Sequence, residues 1–568
     1  MTAMAEVGAP VAADELEAVL RDRFRLAAFR PGQERVIRAI LERGAALAVF
    51  PTGGGKSLCY QLPALLLEGV TLVVSPLIAL MKDQIDALRA LGIDAARLDS
   101  SLAFDEAKAV ERRLLSGELR LLYVSPERFN NERFLQLLGR IHVALFAVDE
   151  AHCISEWGHN FRPDYLKLAE IAREIGAARV LALTATATPQ VVADVCASFG
   201  IPADCAVVTG FHRPNLFLSV HPTRPAARDA VLVERIRARA PGPGIVYVTL
   251  QRTAEHVARV LDDAGIPARA YHAGMNDDAR AAVQEWWKAS DRATVVATIA
   301  FGMGIDKADV RYVYHYNLPK GLESYSQEIG RAGRDGQPST VELLGGLDDV
   351  ATLENFAYGD TPTEAAVRGF VRELLDAGAA FDVSIYELSN RHDVRQLVVK
   401  TALTYLELLG VIRQGTPFYA GYRIKLGLEL RELLAKFTGE RRDFVAGIFR
   451  HAAHGRTWYT LNPEEAATAL GSDRGRVVRA VDYLGEQGWA EVQASDPRLR
   501  FTRTAAQIDA DGLVSELMER FARREAQEVA RVRDVVTLAA RDGCVTVGLL
   551  AHFGEAREEP CGHCTWCQ

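Results

Sequence analysis

The stretch ALAVF-PTGGGKS, from Ala46 to Ser57, decides the fold of this chain. Its first five residues form an apolar run of strand length, and a helical pattern begins at Leu58. Glycines at such a strand-to-helix turn let backbone N–H groups wrap a triphosphate, while Lys56 reaches its β- and γ-phosphates and the Ser57 hydroxyl holds Mg²⁺. The alternative is a glycine-rich turn that binds nothing. Gly-Lys-Ser in this strand-helix context favours an ATP site.

Further apolar runs of strand length recur up to Tyr316. Because they do not alternate between apolar and polar residues, they are typical of strands buried on both faces of a parallel sheet. Amphipathic segments such as Leu77–Leu91 and Phe104–Leu115 separate them, which indicates βαβ units. We therefore predict an α/β fold with two tandem parallel-sheet domains, joined near Gly210–Asn215. The further predicted strands are Thr71–Ser75, Leu121–Ser125, Leu145–Val148 and Val180–Leu183, then Gly244–Thr249, Ala268–Tyr271, Thr294–Thr298 and Tyr312–Tyr316.

The sequence pattern changes at Thr361. Helical segments are followed twice by pairs of short β-rich segments, and helices followed by a β-hairpin are typical of a winged helix. We therefore predict a winged-helix-like α+β region, and after it a long charged helix from Asp511 to Arg541. The first predicted set is Thr363–Leu375, Val394–Leu409 and a hairpin of Val411–Arg413 with Tyr419–Lys425; the second is Pro463–Leu470, Asp473–Gln487 and a wing of Ala490–Val492 with Arg498–Thr502.

Composition leaves several classes of function open. The length of 568 residues predicts three to five domains, and 49% hydrophobic with 25% charged residues is typical of a globular protein. No apolar run is long enough to cross a bilayer and the N-terminus lacks a secretory core, so we expect a cytoplasmic protein with no membrane partner. A formal net charge of −8 argues mildly against a nucleic-acid partner, but a basic groove on an acidic body remains compatible with one.

An acidic pair follows the apolar run Leu145–Val148. A carboxylate at the C-terminal end of a buried strand, here Asp149, is placed to complete Mg²⁺ coordination together with Ser57. Glu150 is then placed to orient and deprotonate an attacking water. Taken alone, the pair is equally well a solvated strand end, but the phosphate loop upstream favours the catalytic interpretation.

Four of the 8 cysteines lie near the C-terminus. Cys561, Cys564 and Cys567 form two CxxC steps, and Cys544 precedes them. In a cytoplasmic chain this arrangement predicts tetrahedral Zn²⁺, with a structural role because no position is left for water. His563 is an alternative ligand, but we favour the four cysteines.

Several motifs together resemble the RecQ family of superfamily 2 helicases in their order and spacing, from about Phe24 to Gly336. Phe553–Cys567 is also similar to the zinc-binding subdomain of that family. The motifs that carry the resemblance are FRPGQ (29–33), VVSPLIALMKDQ (73–84), YVSPER (123–128), DEAHCISEWGHNFRPDY (149–165), LTATAT (183–188), ATIAFGMGIDK (297–307) and QEIGRAGRDG (327–336).

The resemblance implies an ATP-dependent DNA helicase whose two RecA-like motor domains hold ATP in the cleft between them. It assigns Gln33 to the adenine edge, and Arg331 and Arg334 to the γ-phosphate, with Arg334 as the arginine finger that stabilises transition-state charge. The implied nucleotide-binding residues are Arg30, Gln33, Thr52, Gly53, Gly54, Gly55, Lys56, Ser57 and Asp306, and the implied DNA-binding residues are Ser75, Pro76, Trp157, Phe161, Arg162 and Thr298.

The sequence departs from the pattern of the family in two places. Leu26 stands where the family usually carries an aromatic residue that stacks on adenine, so we expect weaker or less selective adenine binding. The region 361–504 lies between the second motor domain and the zinc module, which follow each other directly in the common layout of the family. The predicted domains are 1–207 and 208–350 (RecA-like motors), 351–435 and 436–507 (winged-helix-like), and 508–568 (helical zinc-binding module).

These features predict a monomeric helicase that uses ATP, Mg²⁺ and Zn²⁺. The resemblance implies 3′ to 5′ translocation on single-stranded DNA and unwinding of tailed duplex DNA in repair and recombination. One alternative is a DNA-stimulated ATPase that remodels protein–DNA complexes without processive unwinding. Another is a zinc and winged-helix regulator with a silent ATPase core, but the intact Lys56, Asp149, Glu150 and Arg334 argue against it. RNA is a weaker third option as the substrate.

Overall fold

The computed structural model of the protein describes residues 13–99, 102, 104–155, 162–302, 307–505 and 508–568. The chain divides into two compact units. One holds two parallel sheets together with the end of the chain from Glu519, and the other consists of Pro362–Met518 with the short segment Asn130–Arg133. None of the described helices is both long enough and apolar enough to span a membrane.

The first domain is built on a parallel sheet, as predicted. In chain order the strands are β1 (Ala45–Val49), β2 (Val70–Val74), β3 (Ala95–Leu98), β4 (Leu121–Val124), β5 (Val143–Val148), β6 (Val180–Thr184) and β7 (Ala206–Val208). They lie side by side in the order β3-β4-β2-β5-β6-β1-β7. All residues of β2, β4 and β5 are buried, which explains their continuously apolar sequences. The C-terminal ends of β1 and β5 reach the same edge of the sheet, so the segments after them lie close together.

Helices cover both faces of this sheet. Ala46 and Ala48 belong to one hydrophobic core and Leu47 and Val49 to another, so β1 is buried on both sides. The helices are α1 (Ala13–Phe24), α2 (Gln33–Arg38), α3 (Leu58–Gln61), α4 (Pro63–Leu66), α5 (Ile78–Ala90), α6 (Phe104–Leu115), α7 (Glu132–Leu138), α8 (Pro163–Leu166), α9 (Leu168–Glu174) and α10 (Pro189–Phe199).

The second domain repeats this plan with a second parallel sheet. Its strands are β8 (Leu216–Val220), β9 (Gly244–Tyr247), β10 (Ala268–Tyr271), β11 (Thr294–Ala297), β12 (Tyr312–His315) and β13 (Ser339–Leu343). Their spatial order is β10-β11-β9-β12-β13-β8, so β8 is an edge strand among the described residues. The prediction of two tandem parallel sheets is therefore confirmed. The helices are α11 (Pro225–Arg237), α12 (Gln251–Asp263), α13 (Asp277–Ala289), α14 (Leu322–Ile329) and α15 (Val350–Gly359).

The smaller unit has an antiparallel sheet with helices before, between and after its strands. The strands are β14 (Ala380–Val383), β15 (Ile412–Gln414), β16 (Phe418–Leu426), β17 (Ala453–His454), β18 (Tyr459–Leu461) and β19 (Ala490–Arg503). The helices are α16 (Glu364–Asp376), α17 (Ile385–His392), α18 (Gln396–Leu408), α19 (Leu430–Leu434), α20 (Gly439–Arg450), α21 (Pro463–Ala469) and α22 (Arg474–Glu486).

The two predicted hairpins in this region are wrong. β15 pairs with β19 and not with β16, and β16 pairs with β19 and β18. The second predicted wing is one continuous strand, β19, which pairs along almost its whole length with strands from the other half of the region. Phe418, the first residue of β16, pairs with Arg498 of β19. Local sequence patterns locate strand segments but cannot choose between near and distant partners. The boundaries of the five domains stay predictions.

The chain ends in two helices, α23 (Ala510–Ala539) and α24 (Val545–His552). α23 corresponds to the predicted long charged helix. Val535 of α23 and Leu549 of α24 share a hydrophobic core with Leu218 of the edge strand β8 and Ile329 of α14. The end of the chain therefore packs onto the second parallel sheet, although a whole unit separates the two in sequence.

Phe501 gives a test of the role of β19 in the smaller unit. Its side chain is 1% exposed, and its ring stacks on Phe381 of β14 at 5.8 Å. We expect Phe501→Ala to lower the free energy of unfolding of this unit by about 3–5 kcal/mol, because it leaves a cavity where strands meet. Urea titration followed by tryptophan fluorescence measures the change. Tyr419→Ala, at a side chain that is 47% exposed, is the control and should cost under about 0.5 kcal/mol. Equal effects would contradict the prediction.

Candidate active site and zinc centre

The phosphate loop joins β1 to α3 and has the conformation of an anion cradle. Gly53 and Gly55 have φ angles of 83° and 78°, the left-handed region that favours glycine. A Cβ on Gly55 would lie 2.4 Å from Gln33 Nε2, so this position has no room for a side chain. Lys56 Nζ donates to the carbonyl oxygen of Phe50 at 3.3 Å, which keeps the ammonium group beside the loop. The predicted phosphate ligands are thus assembled on one turn.

The segment that resembles an adenine-recognition motif is bonded to this loop. Gln33 Nε2 donates to the carbonyl oxygen of Gly55 at 2.8 Å, and Gln33 Oε1 accepts from the backbone N–H of Arg30 at 2.8 Å. The Arg30 guanidinium donates to the carbonyl oxygen of Gly53. Leu26 is 45% exposed. Arg30 and Gln33 therefore contact the phosphate loop, and their contacts with adenine stay a prediction.

The acidic pair lies at the end of β5, beside the phosphate loop. The Asp149 backbone N–H donates to the carbonyl oxygen of Val74 at 2.9 Å, and the Tyr165 hydroxyl donates to that of Asp149 at 3.1 Å. Glu150 has a φ of 52°, a strained value for a residue with a side chain. Its side chain is only 12% exposed, and Oε2 makes no hydrogen bond in the described part of the chain. The fold therefore holds Glu150 in a conformation that it would not adopt freely.

Burial and charge make this pair electrostatically unusual. Burial, and then the neighbouring carboxylate of Glu150, raise the pKa of Asp149 to about 7, although Lys56 opposes the shift. Burial also raises the pKa of Glu150, against the opposing charges of Lys56, Arg331 and Arg162. A divalent cation would supply the missing positive charge. Asp149 with the Ser57 hydroxyl is an oxygen donor set of the kind that Mg²⁺ prefers, so these residues fit the ion that the ATPase implies.

His152 connects the acidic pair to the LTATAT motif. Its Nδ1 lies 2.8 Å from Thr184 Oγ1 and 3.4 Å from Glu150 Oε2. Thr184 Oγ1 donates in turn to the carbonyl oxygen of Thr186 at 3.1 Å. Burial, aided by Lys56 and Arg162, lowers the pKa of His152 to about 3, so the ring is neutral at physiological pH.

The second domain brings two arginines to the phosphate loop. The two loops approach closely enough that a Cβ atom added to Gly53 would lie 3.8 Å from Cγ of Arg334. In the other direction, a Cβ atom added to Gly330 would lie 3.2 Å from Thr52 Oγ1. Arg331 is 6% exposed and is near enough to Glu150 to oppose the rise of its pKa. The loop after α14 thus lies directly against the loop after β1, as an arginine finger requires.

The segment Gly210–Asn215, predicted only as a linker, carries two side chains that contact the loop of Arg331 and Arg334. Arg213 donates to three backbone carbonyls of the loop that carries Arg331 and Arg334, and Asn215 donates to one of them. The sequence offered only a weak signal for Arg213, because a cation in a short segment between two strands is usually solvated.

The residues predicted to bind DNA are only partly within the described chain. Trp157, Phe161 and the predicted nucleotide ligand Asp306 lie outside the described residues. Ser75 follows β2 and Thr298 follows β11, and their exposed fractions are 3% and 8%. Pro76 is half-buried, and Arg162 is close enough to the acidic pair to influence the pKa of Glu150. The assignment of these residues to DNA stays a prediction.

The four C-terminal cysteines form one cluster whose sulfur atoms all lie within 4.8 Å of one another. The Sγ–Sγ distances are 3.8 Å for Cys561–Cys567, 3.8 Å for Cys544–Cys564 and 3.5 Å for Cys564–Cys567. Tetrahedral Zn²⁺ with Zn–S bonds of about 2.3 Å requires sulfurs about 3.8 Å apart, so the cluster fits zinc better than pairs of thiol hydrogen bonds. His563 lies outside the cluster and its Nδ1 is 2.6 Å from the carbonyl oxygen of Cys561. The choice of four cysteines is therefore supported.

The zinc module is attached to the edge of the second sheet. The Thr565 backbone N–H donates to the carbonyl oxygen of Leu218 at 3.0 Å, and Thr565 Oγ1 accepts from the backbone N–H of Val220 at 2.9 Å. These bonds continue the hydrogen-bond ladder of β8 at the point where the sheet would otherwise end.

The structure thus combines two RecA-like parallel-sheet domains, a phosphate loop in contact with Arg334, and a four-cysteine cluster that fits zinc. Three family models match the chain: "DEAD/DEAH box helicase" at residues 30–195, "Helicase conserved C-terminal domain" at 227–336 and "RecQ zinc-binding" at 506–568. The region 337–505 lies between the second and third matched segments.

Curated relatives agree with these models. The chain is 45% identical to "Putative ATP-dependent DNA helicase Q1" of Caenorhabditis briggsae, over 66% of this chain and 62% of that protein. It is 44% identical to "ATP-dependent DNA helicase RecQ" of Haemophilus influenzae, over 59% of this chain and 54% of the relative. It is 38% identical to "Probable ATP-dependent DNA helicase RecS" of Bacillus subtilis, over 63% of this chain and 73% of that protein. The chain belongs to the RecQ family of superfamily 2 helicases. It spans between half and two thirds of the length of the first two of these relatives.

Substitution in the acidic pair tests whether the buried charge of Asp149 lowers the stability of the folded protein. We expect Asp149→Asn to raise the Tm of the nucleotide-free protein in Mg²⁺-free buffer at pH 8, because a desolvated charge is removed. The pKa of Asp149 in the folded chain is about 7, above its ordinary value of 3.8, so the cost grows as the pH rises from about 4 toward 7 and levels off above it. The gain in Tm should therefore shrink between pH 8 and pH 6. Asp309→Asn, at a carboxylate that is 51% exposed, is the control, and a lower Tm for Asp149→Asn at pH 8 would contradict the prediction.

The cysteine cluster gives a test of the zinc centre. We expect Cys564→Ser to remove bound zinc, measured by elemental analysis, and to lower the Tm, because Cys564 is fully buried in the core shared with the second sheet. Cys196→Ser, at a half-buried thiol in α10, is the matched control and should keep the metal. Retention of zinc by Cys564→Ser would contradict the four-cysteine site.

Proposed function

We propose that this chain is an ATP-dependent DNA helicase that moves 3′ to 5′ on single-stranded DNA and unwinds tailed duplexes. One observation carries the proposal: the arginine loop of the second sheet lies against the phosphate loop of the first. A cleft with a phosphate cradle on one side and cations on the other couples ATP hydrolysis to relative motion of two domains. The named helicase relatives support DNA as the substrate.

The chemistry of the proposed hydrolysis follows from the residues around the cleft. Lys56 and the backbone of the phosphate loop bind the phosphates, and Asp149 with Ser57 would hold a Mg²⁺ ion that supplies positive charge beside them. Glu150 orients the attacking water and accepts its proton, a role that its raised pKa favours. Arg331 and Arg334 stabilise the charge of the transition state from the second domain.

The link from hydrolysis to DNA runs through His152 and Thr184. Because His152 touches both Glu150 and the strand end of β6, a change at the acidic pair reaches the LTATAT motif through two short contacts. Because the imidazole of His152 is neutral, it can pass a displacement of Glu150 on to Thr184 without adding a charge. The cytoplasmic location, the monomeric state and a role in repair and recombination belong to this proposal.

Strand separation tests the proposal directly. We would give the protein ATP, Mg²⁺ and a duplex with either a 3′ or a 5′ single-stranded tail. Unwinding of only the 3′-tailed duplex supports the proposal. DNA-stimulated ATP hydrolysis without unwinding of either substrate would instead favour a translocase that remodels protein–DNA complexes.

Glu150→Gln identifies the residue that activates water. We expect kcat for ATP hydrolysis to fall by about 100-fold or more, because the amide cannot accept the proton. The KM for ATP should change little, since Glu150 is not expected to bind the ground state of ATP. Glu170→Gln removes an exposed carboxylate from α9 of the same domain and should leave kcat unchanged. Full activity in Glu150→Gln would rule out the assigned role.

A further inference from the structure

The arginine loop is held by a side chain from the linker between the two motor domains. Arg213 Nη2 donates to the carbonyl oxygens of Ala332 at 3.0 Å and Gly333 at 2.8 Å, and Nη1 lies 3.5 Å from that of Gly330. These carbonyls lie on both sides of Arg331 and immediately before Arg334. One planar guanidinium therefore fixes the backbone on both sides of Arg331.

A second linker side chain extends this contact. Asn215 Nδ2 donates to the carbonyl oxygens of Gly333 at 2.8 Å and Gln337 at 3.0 Å, and the backbone carbonyl of Asn215 accepts from the N–H of Ser339 at 2.9 Å. Gly333 has a φ of 54°, and a Cβ there would lie 2.4 Å from Asn215 Nδ2. Glycine is thus required both by the backbone conformation and by the close approach of the linker.

The zinc module holds the other side of the same linker. Glu555 Oε2 accepts from the backbone N–H of Phe211 at 2.5 Å, and the rings of Phe211 and Phe553 stack with centroids 4.4 Å apart. Arg557 Nη1 lies 3.4 Å from Nδ1 of His212. The linker is therefore bonded to the zinc module through Phe211 and His212, and to the arginine loop through the next residue, Arg213.

We propose that Arg213 is a positioning residue for ATP hydrolysis, and that Glu555 secures the linker from which it projects. Arg213 fixes the backbone of the loop, and the loop sets the reach of Arg331 and Arg334 toward the γ-phosphate. Charged hydrogen bonds to backbone carbonyls restrict a glycine-rich segment that would otherwise sample many conformations. The inference rests on the proposed function, since it concerns the same hydrolysis.

The size of the effect follows from the geometry that transition-state contacts need. A displacement of about 1 Å at a catalytic group costs roughly 100-fold in rate. The two finger arginines act on charge that develops in the transition state, so a misplaced loop should lower kcat and leave ground-state binding nearly intact. A residue with a merely structural role would instead reduce the amount of folded enzyme without separating kcat from KM.

Arg213→Met is the main test. We expect kcat for DNA-stimulated ATP hydrolysis to fall by about 10- to 100-fold, with the KM for ATP within about twofold of the wild type. Arg237→Met is the matched control, because Arg237 also donates to a backbone carbonyl in the second domain, that of Ala264, but far from the loop in sequence. Zinc content and Tm are measured on the same samples. An unchanged kcat in Arg213→Met would overturn the proposal.

A double-mutant cycle shows whether Arg213 acts through the arginine loop. If it does, Arg213→Met combined with Arg334→Ala should be no more than about threefold slower than Arg334→Ala alone. Multiplication of the two single effects would overturn the proposal, because it would mean that Arg213 acts independently. If the wild type itself hydrolyses no ATP, the proposed function fails. Amide hydrogen exchange of residues 330–337 then still tests the inference, with faster exchange in Arg213→Met expected and equal exchange contradicting it.

Glu555 provides an independent pair of variants. Glu555→Gln keeps an oxygen that accepts from the Phe211 N–H, so we expect kcat within about twofold of the wild type. Glu555→Ala removes the acceptor and should lower kcat by about 3- to 10-fold. Zinc should stay bound, because the four cysteines that form the candidate zinc site are unchanged. Equal rates for Glu555→Ala and the wild type would overturn the role assigned to Glu555.

Discussion

The larger unit depends on the contact between two loops that belong to different sheets. The phosphate loop after β1 depends on glycines with left-handed backbone conformations, which side-chain-bearing residues rarely adopt. The arginine loop after α14 contains glycines too, but it is held from outside by side chains of the linker. A site of this kind needs both loops at a defined distance, and neither domain can set that distance alone.

The buried acidic pair explains why the site contains a cationic side chain from each of the two domains. Two adjacent carboxylates in a desolvated position repel each other, and the chain offsets this with Lys56 from its own domain and Arg331 from the next. Without a bound cation the pair therefore carries an electrostatic cost, which a Mg²⁺ held by Asp149 and Ser57 would relieve.

Much of the fold and of the site could be predicted from the sequence, and the exceptions share one physical cause. Continuous apolar runs located the parallel strands because burial on both faces leaves a strong local signal. Lys56 and Asp149 were recognisable as candidate site residues because each belongs to a short sequence motif. The pairing of β19 with β14, β15 and β16 depends on contacts between residues far apart in the chain, which no local pattern records. Arg213 was missed for the same reason, since its partners lie more than a hundred residues away.

The zinc module takes part in several of these contacts between distant parts of the chain. Its four-cysteine cluster organises a short segment with little core of its own, and that segment then packs on the edge strand β8 and on the linker. A metal centre supplies rigidity where a small hydrophobic core could not. The linker consequently contacts the zinc module through Phe211 and the arginine loop through Arg213. A linker held in this way behaves as a part of the active site, because the geometry of the finger arginines is set by bonds to it and not by the second sheet alone.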